Sequence, residues 1–185
     1  MKLSNDLEFE LRDVAKPHLR KLSRQIDETI NLVVRAEEKV LYIEKVESSQ
    51  PIQINTKVGK KEDIYCTAVG KVILAYTNED TQNVIFDKID FYPHTENTIV
   101  SLKELKKALK EIKERGYAVD NEEFSEGVKC ISAPIFDHKS NVKGAISITG
   151  PVERMEKRGE QELASFVKEI CKDITRELGG KYKAM

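Results

Sequence analysis

The chain predicts an α+β fold, a largely antiparallel sheet with helices packed against it. Two observations carry this. Paired apolar runs joined by short polar turns occur twice, at 30–46 and again at 128–149. Between and around these pairs lie stretches whose apolar residues recur every three or four positions, the period of an amphipathic helix. At 185 residues the whole fits a single domain, long enough to bury about 70% of its unfolded surface around one core.

From the N-terminus, Leu7, Leu11, Val14 or Ala15, Leu19, Leu22 and Ile26 form the first helical stripe. Pro17 interrupts it, so a lead helix near 4–15 and a new start or kink at Pro17 are expected, because a proline ring clashes with the preceding helical turn. Ile30 to Val34, a charged turn at 36–39, and Val40 to Val46 read as a hairpin. Ile52 and Ile54 alternate with Gln53 and Asn55, which predicts a third short strand before a Gly59-Lys60-Lys61 turn. Thr67 then caps a helix from Ala68 to about Tyr76, and 78–86 reads as one more short helix.

Ser101 and Glu104 make a capping box ahead of Leu102, Leu105, Leu109 and Ile112, and Gly116 closes that helix. Its other face mixes lysines with glutamates, an ordinary solvated surface. Two strands, 128–136 and 142–149, meet across the turn at 137–141. A terminal helix carries Leu163, Phe166, Val167, Ile170, Ile174 and Leu178 and stops at Gly179-Gly180.

Composition excludes several classes. Lys+Arg 31 against Asp+Glu 32 nearly cancel, so the chain lacks the basic field that nucleic-acid binding draws on. Cys66, Cys130 and Cys171 fit neither a zinc-finger ladder nor a secreted disulfide framework, and reduced thiols in the cytoplasm are expected. No stretch approaches the length of an apolar membrane span.

The residues that can bind are few. First-turn amides of a helix lack internal acceptors and sit at the positive end of its dipole. A helix starting at Ala68, with Val69 and Gly70 behind it, therefore offers a place for a carboxylate. Asp120 follows the apolar 116–119 run, where an acid most often caps a turn. Cys130 lies in an apolar strand, where a cysteine is most often a small buried hydrophobe. Ser147 and Thr149 alternate with Ile146 and Ile148, so their hydroxyls share one strand face. No G-x-S-x-G, H-E-x-x-H or C-x-x-C motif is present.

Taken together, Thr67-Ala68-Val69-Gly70-Lys71, the acidic loop Asp120 to Glu123, the Cys130 strand and the run ending in Gly150-Pro151 resemble the effector-binding domain of IclR-family transcriptional regulators. The resemblance extends from Leu7-Glu8 to Leu178-Gly179. It implies a GAF-like or PAS-like sheet and a ligand pocket formed by the residues matching Ala68, Val69 and Gly70, with Asp120, Cys130, Ser147 and Thr149 facing it. Val69 departs from the alanine-like or glycine-like residue usual there, which implies a tighter or differently shaped pocket. By the same resemblance, residues 1–15 are the end of a linker helix, 16–185 the effector domain, and a winged helix-turn-helix would stand upstream.

The implied function is sensing of a small organic acid, without catalysis and without a cofactor. The implied partners are a homodimer or tetramer of the chain, and operator DNA reached only through the missing domain. Two alternatives stand beside it. One is a metal-responsive or thiol-redox sensor, using Asp120 and Cys130 with a histidine or a Cys66–Cys130 disulfide; Asp120 and Cys130 alone are too few for a tight metal site, so none is assigned. The other is a small cysteine-dependent enzyme, disfavoured because an aspartate beside Cys130 opposes thiolate formation.

Overall fold

The computed structural model describes residues 2–184, with side chains from Phe9 onward. In chain order the elements are α1 (Lys2–Ile26), β1 (Thr29–Ala36), β2 (Lys39–Val46), β3 (Lys61–Asp63), α2 (Ala68–Tyr76), α3 (Glu79–Phe86), α4 (Leu102–Arg115), β4 (Ala118–Asn121), β5 (Val128–Phe136), β6 (Val142–Pro151), α5 (Val152–Arg158) and α6 (Glu160–Glu177). The strands form one sheet in the order β3-β2-β1-β6-β5-β4, with every neighbouring pair antiparallel.

Period-two alternation gives this sheet two apolar faces. Ile30, Leu32, Ile131, Ala133, Ile146 and Ile148 point to one side and pack under α1 and α6. Val33, Val40, Tyr42, Ala118 and Ala145 point to the other, where α2 covers them and α4 packs in turn on α2. The result is three layers, helices on both sides of one sheet.

The new helix start expected as one alternative at Pro17 does not occur. Helix α1 runs through it without interruption. The lost amide costs one hydrogen bond, but Leu11, Ala15, Leu19, Leu22 and Ile26 form one buried stripe on both sides of the proline, and tertiary packing of such a stripe outweighs local propensity. Leu7, expected in that stripe, has a side chain outside the described residues.

The strand expected at Ile52 and Ile54 is also absent. That segment has no ladder, and β3 lies further on at Lys61–Asp63. Side chains satisfy its carbonyls instead: Arg154 donates to Ile52 O at 2.8 Å and Thr29 Oγ1 to Ile54 O at 3.2 Å. Pro51, with no amide to give a ladder, favours this irregular course. The capping residues behave as expected. Ser101 Oγ accepts from Glu104 N at 3.2 Å, and Gly116 ends α4 in the left-handed conformation, φ 81°. Helix α5, which has no counterpart in the sequence reading, occupies the short run before Gly159.

Candidate functional site

The site begins where α2 begins. Thr67 is extended and its Oγ1 accepts from Gly70 N at 3.2 Å, as an N-cap does. The preceding amides, of Ala68 and Val69, have no acceptor among the described residues. Both residues line a cavity of about 130 Å³ between α2, the sheet and the loops at 54–60 and 124–128.

Strand register sets the opposite wall. Asp120 pairs with Cys130 across β4 and β5, and Cys130 pairs with Thr149 across β5 and β6. Ser147, two residues from Thr149, pairs with Asn31 of β1. Paired residues share a sheet face, so one row of the sheet presents an acid, a thiol and two hydroxyls to the cavity. Ala68, Val69, Asp120, Cys130, Ser147 and Thr149 all lie on its wall.

Gly70 does not. A Cβ there would stand 2.1 Å from the Ile64 carbonyl oxygen. Its lack of a side chain therefore serves the seating of α2 on the turn before it, and not the approach of a ligand.

Five further polar residues, Asn31, Tyr42, Thr56, Lys60 and Glu62, lie on or beside this wall without having been singled out from the sequence. Asn31 is fully buried and its Nδ2 donates to Ser147 Oγ at 3.1 Å and Thr149 Oγ1 at 3.2 Å. Thr56 Oγ1 donates to Asn31 Oδ1 at 2.5 Å, closing a network over the cavity floor. Tyr42 OH donates to Glu62 Oε2 at 2.7 Å, and Lys60 Nζ lies 2.9 Å from Glu62 Oε1. An asparagine within the apolar run INLVV was a signal available for Asn31; Glu62, in a charged turn, gave none.

The electrostatics are unusual for exposed acids and ordinary for buried ones. Asp120 is pushed up to about 7, first by burial and then by Glu123, although it accepts from the Glu123 amide at 2.8 Å. The Cys130 thiol is raised well above its usual range by burial and by Asp120. Burial, Glu62 and Cys130 likewise raise the Tyr42 hydroxyl. A thiol held protonated in this way is a poor nucleophile. All three cysteines are free.

The architecture is that of a GAF-like α+β domain. Residues 7–176 match the family described as bacterial transcriptional regulator IclR C-terminal, and the chain belongs to that family. Among its relatives, the HTH-type transcriptional regulator KdgR of Escherichia coli is 34% identical over 161 residues, covering 87% of this chain and 61% of the relative. The transcriptional repressor IclR of Escherichia coli is 29% identical, over 90% of this chain and 62% of the relative. The chain thus spans about three fifths of the length of these proteins.

Solved structures agree. The Thermotoga maritima IclR crystal structure superposes with a TM-score of 0.87 at 36% identity, over 96% of this chain and 74% of that one. The C-terminal domain of Escherichia coli KdgR gives 0.83 at 33% identity, over 91% of this chain and 98% of that one. No helix among the described residues is long and apolar enough to cross a membrane.

Proposed function

We propose that this domain senses a small organic acid, and that Ala68, Val69, Asp120, Cys130, Ser147 and Thr149 form its binding site. The observation that carries the reading is the convergence, on one cavity, of the unpaired α2 amides and the Asp120 to Thr149 row. A carboxylate at the amides of Ala68 and Val69 gains from unpartnered donors and the helix dipole together. Hydroxyl or keto groups further along the ligand meet Ser147, Thr149 and Asp120. The cavity volume suits an acid of a few carbons, and apolar walls with a few convergent polar groups are what such sites use.

In the whole regulator the ligand would bias the spacing of two DNA-binding heads carried by an upstream winged helix-turn-helix domain, with dimers or tetramers of the chain bringing them together on operator DNA in the cytoplasm. Such coupling requires the ligand to bind one arrangement better than the other. The protonated Cys130 thiol supports binding without catalysis.

A thermal-shift panel of keto, hydroxy, sugar and aromatic acids tests this, with Asp120→Ala and Cys130→Ser beside the parent. A ligand near 100 times its dissociation constant adds about 2.7 kcal/mol, which for a domain of this size raises the midpoint by roughly 5–11 °C. A shift confined to one chemical class and lost in the variants supports the reading. No shift from any acid at saturating concentration sinks it.

A further inference from the structure

Outside the cavity wall, three side chains of different chemistry meet. Asp63 ends β3, Cys66 lies in the turn leading into α2, and His94 comes from the connection between α3 and α4. One carboxylate oxygen, the sulfur and one imidazole nitrogen lie within 4.8 Å of one another. We propose that Asp63, Cys66 and His94 bind a zinc ion, with water as the fourth ligand.

The ligand set selects the metal class. Thiolate and imidazole are poor partners for magnesium or calcium, which take oxygen ligands at higher coordination. Sulfur, nitrogen and oxygen in one small cluster suit zinc, and three protein ligands with one open position form a recognised zinc arrangement. Tetrahedral zinc would set its ligand atoms about 3.3–3.6 Å apart. His94 Nε2 and Asp63 Oδ2 now share a 2.8 Å hydrogen bond, so they need to separate by only about half an ångström while the sulfur closes in.

The surroundings hold the ligands ready. The His94 ring packs against Phe124 at 4.9 Å and Tyr92 at 5.1 Å between centroids. Lys39 occupies the other Asp63 oxygen, which would keep that carboxylate monodentate and orient it, as outer partners of metal ligands do. Cys66 is fully buried, whereas Asp63 and His94 side chains are 19% and 23% exposed, leaving one side open to water and to an entering ion. On binding, the Cys66 thiol gives up its proton to solvent as the sulfur–zinc bond forms, and the His94–Asp63 hydrogen bond is exchanged for two bonds to the metal, the imidazole staying neutral by carrying its single proton on Nδ1. Charge then balances: two anionic ligands and neutral imidazole against a dication.

Because Cys66 directly precedes the Thr67 cap and Phe124 lines the cavity, the ion would stiffen two parts of the cavity wall. It would not occupy the cavity. The proposal therefore stands or falls separately from the organic-acid reading.

The test is cobalt(II) titration of the metal-stripped, reduced chain, read in absorbance, with zinc competition and with Cys66→Ser, His94→Gln and Cys130→Ser variants. Expected are one equivalent of cobalt, thiolate-to-cobalt charge transfer with tetrahedral d–d bands, and displacement by zinc. Cys66→Ser should lose the charge transfer, His94→Gln should weaken cobalt binding at least tenfold, and Cys130→Ser should match the parent. A parent with no saturable band up to millimolar cobalt overturns the proposal. So does a band that Cys130→Ser abolishes, since that would place the metal in the cavity. If Cys66→Ser does not fold, an unchanged titration in His94→Gln is equally fatal.

Discussion

Lys71 and Glu123 meet across 52 residues of sequence, and their ion pair ties the helix that opens on the cavity to the loop that holds Asp120. Both side chains are buried, and the Lys71 ammonium also donates to the Val119 carbonyl at 2.7 Å. Burial raises the Glu123 carboxyl and Lys71 opposes that rise, while Glu123 Oε2 has no protein partner. The pair holds the α2 amides and the Asp120 carboxyl, on opposite walls of the cavity, in a fixed relation.

Removing one member of this pair should cost far more than removing both. Glu123→Ala leaves a buried ammonium facing only a carbonyl, and a loss of about 3–5 kcal/mol is expected in urea denaturation. The double variant Lys71→Met, Glu123→Leu should recover most of that. A single variant within about 0.5 kcal/mol of the parent would show that water, and not Glu123, satisfies Lys71.

Asp120 makes stability depend on pH in an unusual sense for a carboxylate. Its folded value, about 7, lies above the unfolded 3.8. The folded chain thus holds the proton more tightly, so the contribution of this group is complete below 3.8 and is lost as pH rises through about 7. Asp120→Asn keeps an acceptor for the Glu123 amide and removes the titration. Between pH 5 and 8 the parent should lose stability relative to this variant by on the order of a few kcal/mol. Denaturation curves that run parallel for the two proteins across that range would refute it.

Asn31→Ala strips the amide that joins Ser147, Thr149 and Thr56. Buried hydroxyls left without that partner make a loss of about 1–3 kcal/mol the expected outcome. Asn31→Asp, which exchanges a donor for a charge, should be worse at neutral pH than at pH 4, because burial favours the protonated carboxyl and acid supplies the proton. Chemical denaturation at both pH values separates the two effects.

Gly70→Ala reverses a familiar rule. Alanine in a helix interior usually gains about 1 kcal/mol over glycine. Here the new Cβ would meet the Ile64 carbonyl at 2.1 Å, backbone that cannot yield without moving the turn. A lowered melting midpoint is expected; a raised one would mean that α2 has room to shift.

How much of this was legible in the chain depends on what each residue answers to. The β1–β2 hairpin, the Thr67 and Ser101 caps and the α4 stop at Gly116 are local choices, written in turn and cap chemistry. Pro17 misled because the cost of a proline is local, whereas the stripe that offsets it is satisfied only by the sheet. Ile52 and Ile54 misled because alternation is not pairing: Ile54 lines the cavity while Ile52 is 71% exposed. That Ala68, Asp120, Cys130 and Ser147 share one pocket is an expectation only family resemblance supplies, since nothing in their spacing shows that register aligns them. Glu62 and the Asp63–Cys66–His94 cluster depend on how β3 and the α3–α4 connection come together, which no short window of sequence contains.

Strand β1 has one residue of thickness between two environments. Asn31 gathers the hydroxyls of the cavity floor, and its immediate neighbours, Ile30 and Leu32, are the surface on which α1 rests. There is no intervening layer to absorb a displacement. A twist of this strand that lets Asn31 follow an occupant must roll Ile30 and Leu32 beneath the long helix, so the sheet acts as a lever whose fulcrum is its own backbone.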